Sequence, residues 1–168
     1  WLQEASQRVI ESGDLVGFDT DMVGPMGYFC DISRTFHCGP AKPTKRQKEI
    51  YQLAHDEIQH NLSLVRPGIG FRELQTLSYP IPEKCQDNAY PCIYHGVGMC
   101  DEYPKIIPAH FGSNPYDGIL QAGMVITIES YMGPKGERDG VKLEEQVLVT
   151  EGGYEMISGF PMEEALLG

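Results

Sequence analysis

The feature that most constrains this chain is a set of carboxylates inside segments that otherwise have the apolar pattern of β-strands. These acids are Asp19, Asp21, Asp31, Glu129 and Glu144. Successive strand residues point to opposite faces, so two acids that are two positions apart share one face. Two like charges 4 Å apart repel by about 4 kcal/mol at an effective dielectric constant of 20. Such a group therefore requires protonation, basic partners or metal ions.

The predicted elements follow the order hairpin, helices, long loop region and hairpin, which is typical of an α+β fold with a largely antiparallel sheet. A helix over 45–65 is indicated by the spacing of its apolar residues and by a capping box formed by Thr44 and Gln47. The other predicted elements are a short amphipathic helix over 1–11, strands near 15–22 and 28–36, a helix over 71–78, a short strand near 92–95, a hairpin over 123–150 and a final strand after it.

Each hairpin brings carboxylates together across its turn. Asp21 and Asp31 are nearly symmetric about the first turn, and Glu129 and Glu144 are symmetric about the second. This spacing predicts cross-strand neighbours with Cβ atoms about 5 Å apart. His95, flanked by glycines that allow close backbone approach, adds an imidazole. Five carboxylates and one imidazole suit two oxygen-bridged ions of Mn, Fe, Co or Zn.

The chain is acidic, with 24 Asp and Glu residues against 13 Lys and Arg residues and a net charge of −11 over 168 residues. An acidic chain without clustered basic residues is not expected to bind nucleic acid, and no run of 18 apolar residues predicts a membrane span. Most other acids, such as Asp56 and Glu57 in the long helix, are predicted to lie on a solvated surface. The five cysteines have no C-x-x-C spacing, which predicts reduced thiols in a cytoplasmic compartment.

The pattern resembles that of the pita-bread metallopeptidases, a family that includes aminopeptidase P, prolidase, methionine aminopeptidase and creatinase. The matching motifs, over about residues 14–150, are Asp19-Thr-Asp21, Gly27-Tyr28, Asp31-Ile-Ser-Arg-Thr35, His95-Gly-Val-Gly98, Glu129 in GMVITIES and Glu144-Glu145 in GVKLEEQVLVT. The resemblance implies a pita-bread fold, with a curved, mostly antiparallel sheet and helices on its outer face. It also implies a site for two metal ions formed by Asp19, Asp21, Asp31, His95, Glu129 and Glu144. Strand parity leaves Glu145 open as an alternative to Glu144, and the family pattern favours Glu144.

Two departures from the peptidase pattern bear on the chemistry. The peptidases have a single aspartate and a glycine at the opening, with eleven residues between the two metal aspartates, whereas Asp19 and Asp21 lie twelve and ten residues before Asp31. The peptidases also have a second histidine seven residues after the first, just before a glutamate. By count Glu102 stands at that place, and Asp101 replaces the histidine if Glu102 is matched to the glutamate. Either alignment removes a positioned imidazole, and such a loss costs peptide hydrolysis about 100- to 10,000-fold.

This combination is similar to one branch of the family, the DddP-type dimethylsulfoniopropionate lyases, which cleave dimethylsulfoniopropionate to dimethyl sulfide and acrylate. The resemblance implies that Asp101 is the base, that Tyr90 belongs to the active site and that the two metals are iron. β-Elimination needs a base and Lewis acids on the substrate carboxylate, but no general acid, because the sulfonium leaves as a neutral sulfide. An aromatic ring can hold the sulfonium by a cation–π attraction of about 0.5–2 kcal/mol.

Two other functions stay open on the sequence alone. An Xaa-Pro peptidase-like metallohydrolase would recruit Glu102 or His110, and a non-catalytic module would bind basic proteins but has no need to keep every ligand position. The family's catalytic domain is longer than this chain, which begins with Trp1 close to the first aspartate. Residues 1–168 are therefore expected to be the C-terminal part of a pita-bread catalytic domain, without its first half and the N-terminal domain. The full-length protein is expected to be a homodimer that acts on a small-molecule substrate.

Overall fold

The computed structural model describes residues 6–168, and the strands within that range form two antiparallel sheets. The first sheet has two strands, β1 (Leu15–Val23) and β2 (Phe29–His37). The second sheet consists of β3 (Tyr94–Gly96), β4 (Lys105–Ile106), β5 (Val125–Met132), β6 (Val141–Thr150) and β7 (Gly153–Met156). Its strands follow the spatial order β4-β3-β5-β6-β7. Both predicted hairpins and the final strand are confirmed.

The helices are α1 (Lys45–Leu64), α2 (Phe71–Leu77) and α3 (Glu83–Gln86). The predicted capping box starts α1: the Thr44 hydroxyl accepts a hydrogen bond from Gln47 N, and Thr44 N donates to Gln47 Oε1. Two orphan amides at the helix start are satisfied in this way. In residues 6–168, no helix is both long enough and apolar enough to span a bilayer.

The hydrophobic core lies between α1 and the five-stranded sheet. The buried residues of α1 recur every three or four positions, while β5 and β6 contribute every second residue. These core residues include Ile50, Ala54, Ile58 and Leu62 from the helix and Ile128, Met132, Leu143 and Val147 from the strands. Because strand side chains alternate, the intervening residues of β5 and β6 face away from α1. That second face of the sheet is where polar side chains collect.

The helix predicted for residues 1–11 is wrong over residues 6–11, which are not helical, and residues 1–5 lie outside the described range. The physical reason is the carboxylate of Asp14. It accepts hydrogen bonds from the backbone N of Glu11 at 2.9 Å and from the guanidinium of Arg8 at 2.7 and 2.8 Å. These bonds hold the segment as a loop folded around Asp14.

Candidate metal centre

The β1–β2 hairpin carries three aspartates on one face. Asp21 lies opposite Asp31 in the antiparallel ladder, as predicted, and Asp19 lies opposite Ser33. One carboxylate oxygen from each of the three aspartates lies within 4.8 Å of the others. Asp31 is buried, whereas Asp19 and Asp21 are exposed. The hairpin therefore offers a group of oxygen donors that is open on one side.

The five-stranded sheet supplies the imidazole and two glutamates. Glu129 lies directly opposite Glu144 in the β5–β6 ladder, as predicted. His95 Nε2 lies 3.3 Å from Glu144 Oε1, 3.4 Å from Glu129 Oε1 and 3.5 Å from Asp31 Oδ2. Glu145, the alternative that strand parity left open, lies on the opposite face of β6.

The six residues expected to bind metal thus lie close together. We call this group the carboxylate–histidine cluster, and its members are Asp19, Asp21, Asp31, His95, Glu129 and Glu144.

The backbone beside His95 requires glycine. Gly96 N donates to Pro104 O at 2.9 Å, and a Cβ atom at position 96 would overlap the carbonyl oxygen of Tyr103. His95 Nδ1 lies 3.2 Å from Gly96 O. A hydrogen bond at Nδ1 fixes the ring so that Nε2 points to the carboxylates.

Contacts between the first hairpin and β6 join the two halves of the cluster. Ser33 Oγ lies within hydrogen-bond distance of both Asp19 Oδ1, at 2.5 Å, and Glu144 Oε2, at 2.8 Å. Asp31 N donates to Gln146 Oε1 at 3.1 Å. Because Ser33 is two residues after Asp31, strand alternation already placed it on the same face. The sequence reasoning did not single it out.

Lys142 is a basic member of the site that the sequence reasoning also missed. Its Nζ donates to Glu129 Oε2 and lies 3.4 Å from Asp19 Oδ2 and 3.6 Å from Glu144 Oε2. The available signal was its position two residues before Glu144, which puts both side chains on one face of β6.

Burial and crowding perturb the protonation of the cluster. Burial raises the pKa of Asp31, with a further rise from the Glu144 charge, and burial also raises the pKa of Glu129. Burial alone would lower the pKa of His95, but the close approach of the Glu144 carboxylate and the charge of Glu129 raise it to about 9. Burial alone would raise the pKa of Glu144, but Lys142 and His95 hold it below its ordinary value. The metal-free cluster therefore retains protons to offset its negative charge.

Three buried carboxylate oxygens of the cluster have no hydrogen-bond partner among residues 6–168: Asp31 Oδ1, Glu129 Oε1 and Glu144 Oε1. Leaving a buried polar atom unpaired costs about 1–3 kcal/mol. Carboxylate oxygens and imidazole nitrogens are the donors that Mn, Fe, Co and Zn accept. The donor set therefore fits a divalent cation bound between these oxygens and His95 Nε2.

The two residues expected to act in catalysis adjoin the cluster from different sides. Asp101 Oδ1 lies 3.5 Å from His95 Nδ1, on the edge of the ring away from Nε2. The Tyr90 hydroxyl donates to Glu102, and Lys142 Nζ lies 4.9 Å from the centroid of the Tyr90 ring. Asp101 therefore contacts His95, and its charge adds to burial in raising the pKa of Asp21 and of Asp31, while Tyr90 lies beside Lys142.

Glu57 was predicted to lie on a solvated surface, and this is wrong. It is 1% exposed and accepts a hydrogen bond from Ser130 Oγ. Burial raises the pKa of Glu57 to about 8. Ser130 follows Glu129 on β5 and faces α1. Glu57 therefore contacts β5 on the face opposite to the carboxylate–histidine cluster. The missed signal was its position seven residues after Ile50, which places both on the same side of α1.

Comparison with known proteins decides the family. The model of metallopeptidase family M24 matches residues 2–151. The chain belongs to metallopeptidase family M24. M24 enzymes depend on two metal ions, and the carboxylate–histidine cluster is the candidate site for them in this chain.

The relatives that match this chain are named for two different activities. The dimethylsulfoniopropionate lyase DddP of Roseovarius nubinhibens is 38% identical over 169 residues, which cover 100% of this chain and 38% of that protein. The Xaa-Pro dipeptidase of Pyrococcus furiosus is 33% identical over 160 residues, which cover 92% of this chain and 42% of that protein.

Solved structures of M24 enzymes have the same fold. The X-Pro aminopeptidase of Thermotoga maritima superposes with a TM-score of 0.79 at 25% identity, over 95% of this chain and 44% of that one. The predicted α+β, pita-bread fold is therefore confirmed. The chain spans less than half the length of these M24 relatives.

Proposed function

We propose that the full-length protein is a metal-dependent lyase that cleaves dimethylsulfoniopropionate to dimethyl sulfide and acrylate by β-elimination. The observation that carries this proposal is the Asp101 carboxylate 3.5 Å from His95 Nδ1. It occurs in a chain that aligns over its whole length with a relative named as a dimethylsulfoniopropionate lyase. An aspartate is better suited to accept a proton than to donate one near pH 7. Elimination that releases a neutral sulfide needs a group that accepts a proton, and it does not need a group that donates one.

In this proposal, two metal ions are held by Asp19, Asp21, Asp31, His95, Glu129 and Glu144. The metal is iron, with Mn, Co or Zn as alternatives for the same donors. When bound, the ions supply Lewis acids that stabilise negative charge developing on the substrate carboxylate. The unpaired buried oxygens of Asp31, Glu129 and Glu144 support this ligand set.

Asp101 acts as the base. Its carboxylate takes a proton from the carbon next to the substrate carboxylate, and the electron pair of that C–H bond forms the double bond of acrylate. The bond between the following carbon and sulfur breaks at the same time, and its electron pair leaves with sulfur as neutral dimethyl sulfide. The Asp101 side chain is 14% exposed, so water can remove the proton afterwards.

Tyr90 holds the sulfonium end of the substrate. Lys142 Nζ already lies 4.9 Å from the centroid of this ring, so the sulfonium would use the ring face that Lys142 does not cover. Cation–π attraction of this kind contributes about 0.5–2 kcal/mol.

A cavity of about 350 Å³ is lined by His95 but not by Asp101 or Tyr90, so its size alone bears on the proposal of a small-molecule substrate. Its walls are mostly apolar and include Met99, Tyr103 and Met124. Cavities of about 300–1,000 Å³ are typical of small-molecule sites.

The experiment is a headspace assay for dimethyl sulfide with iron-loaded, full-length protein. Wild type is expected to release dimethyl sulfide, and Asp101→Asn is expected to lower the rate by about 100- to 10,000-fold. Metal content should be unchanged in this variant, because Asp101 is not one of the proposed ligands. Asp117→Asn is the matched control, since Asp117 is exposed and pairs with Arg72. Absence of dimethyl sulfide from the metal-loaded wild type, or full activity in Asp101→Asn, would contradict the proposal.

A second candidate is an Xaa-Pro peptidase-like metallohydrolase, favoured by the 33% identity to the Pyrococcus furiosus dipeptidase. It would use Glu102, which accepts the Tyr90 hydroxyl, or His110, whose ring packs 4.3 Å from that of Phe111. Hydrolysis of Xaa-Pro dipeptides faster than release of dimethyl sulfide, by the same preparation, would favour this candidate.

The proposal extends to the whole protein as a cytoplasmic homodimer that binds neither nucleic acid nor membranes. All five cysteines are free, which supports a reducing compartment. Light scattering on the full-length protein tests the dimer, and a monomeric mass would contradict it.

A further inference from the structure

A lysine lies inside the carboxylate–histidine cluster, although lysine is rarely buried unless it is paired. Lys142 Nζ donates to Glu129 Oε2, lies 3.4 Å from Asp19 Oδ2 and lies 3.6 Å from Glu144 Oε2. The side chain is only 12% exposed, so dissolved salt screens these ion pairs weakly. Lys142 is thus a fixed positive charge among the proposed metal ligands.

In each of the two glutamates, one carboxylate oxygen lies near Lys142 and the other lies near His95. Oε2 of Glu129 and Oε2 of Glu144 face Lys142. Oε1 of each glutamate lies near His95 Nε2 and has no hydrogen bond from any residue in the range 6–168. One side of the cluster already has a cation, and the other side has unpaired oxygens.

We propose that Lys142 is a built-in counter-cation that makes the two metal positions unequal, an inference that rests on the metal centre of the proposed function. The first ion binds on the side of Asp31, His95 and Glu144. The second ion binds near Asp19 and Glu129 only when the Lys142 ammonium withdraws from their oxygens. The same ammonium keeps the metal-free cluster stable, because it offsets the repulsion among the carboxylates.

A manganese titration of the full-length protein tests this inference. Wild type and Lys142→Met are stripped with a chelator and titrated with MnCl2, with binding followed by calorimetry and free Mn²⁺ followed by electron paramagnetic resonance. Wild type is expected to bind one Mn²⁺ tightly and a second more weakly. Lys142→Met is expected to bind the second ion about tenfold more tightly or better, because a repelling charge has been removed.

The thermal midpoint gives a second readout. Lys142→Met should lower the midpoint of the metal-free protein more than that of the manganese-loaded protein. Lys135→Met is the matched control, because Lys135 is exposed and pairs with Asp87 outside the cluster. It should bind Mn²⁺ as wild type does. If Lys142→Met does not fold, Lys142→Gln carries the same expectation with a smaller change of polarity.

The outcomes separate this inference from the proposed function. An unchanged or weaker second Mn²⁺ affinity in the neutral variant, with two sites intact in wild type, overturns the role of Lys142 and leaves the metal centre standing. A wild type that binds no Mn²⁺ overturns both. Because no substrate enters the titration, a wrong substrate assignment does not affect the result.

Discussion

Glu144 and Glu145 are consecutive residues of β6 but have different partners on opposite faces of the sheet. Glu144 Oε1 lies 3.3 Å from His95 Nε2, whereas Glu145 Oε1 accepts a hydrogen bond from Arg34 Nη2 at 2.8 Å. Arg34 is 4% exposed and also donates to the carbonyl oxygen of Phe160. A candidate metal ligand and a buried structural ion pair therefore lie side by side in the chain.

Exchanging either glutamate for glutamine should separate these roles. Glu144→Gln is expected to lose bound metal, because the variant removes a charged ligand from the cluster. Glu145→Gln should keep its metal but lower the free energy of unfolding by about 3 kcal/mol, because Arg34 is left buried without its anionic partner. Metal analysis and urea denaturation of the full-length variants measure the two effects. Equal metal loss in both would contradict the assignment.

Metal binding to the cluster should release protons. In the metal-free protein the pKa of His95 is about 9 and that of Asp31 is raised by burial, so both hold a proton at pH 7. Both must lose it to become ligands, so roughly two protons should be released as the first ion binds. Affinity for Mn²⁺ should therefore rise with pH up to about 9. Calorimetry in buffers of different ionisation enthalpy counts the protons, and a heat that does not depend on the buffer would contradict the prediction.

Substitution of Tyr90 should show whether its ring or its hydroxyl matters. Tyr90→Leu removes the π face and is expected to raise the KM for dimethylsulfoniopropionate by about 2- to 30-fold, which corresponds to 0.5–2 kcal/mol of cation–π attraction. Tyr90→Phe keeps the ring and loses the hydroxyl that donates to Glu102, so its KM should stay close to that of wild type. Steady-state kinetics measure both values. A larger loss in Tyr90→Phe than in Tyr90→Leu would mean that the hydroxyl is the active group.

Glu57 should make stability depend on pH. Its pKa is about 8 in the folded protein against an ordinary value of 4.5, because burial disfavours the charged form. The folded state thus binds this proton more tightly than the unfolded state, and its contribution to stability is lost as the pH rises from about 4.5 to about 8. Glu57→Gln cannot ionise, so at pH 9 it should be more stable than wild type by about 5 kcal/mol, with a much smaller difference at pH 4.

Thermal denaturation of the full-length protein between pH 4 and pH 9 measures this difference. Glu49→Gln is the control, because Glu49 lies on the same helix but is 46% exposed. A gain that is the same at both ends of the pH range would show that the pKa of Glu57 is the same in the folded and unfolded states, which would contradict the prediction.

The pairings within each hairpin could be predicted because the centre of a turn fixes the register of the strands around it. This applies to Asp21 with Asp31 and to Glu129 with Glu144. The contact between the hairpins could not be predicted in this way. Ser33 and Glu144 are 111 residues apart, and their hydrogen bond depends on how two sheets pack, which no local spacing encodes.

The positions of two charged residues with little exposed surface could have been predicted from the same periodicity. Lys142 shares a strand face with Glu144, and Glu57 shares a helix side with Ile50. The general rule that Lys and Glu lie on the surface took precedence, so the burial of these two side chains was not predicted. Residues 6–11 show the opposite case, because local hydrogen bonds from Glu11 N and the Arg8 guanidinium to Asp14 hold a loop where the apolar pattern indicated a helix.

The candidate ligands of the cluster come from strands that are far apart along the chain. During translation the ribosome releases β1 and β2 well before β5 and β6, so a nascent polypeptide presents Asp19, Asp21 and Asp31 without their later partners. The candidate ligands come together only after β5 and β6 have been synthesised and have packed against β1 and β2. We therefore expect metal to bind only after β6 has been synthesised.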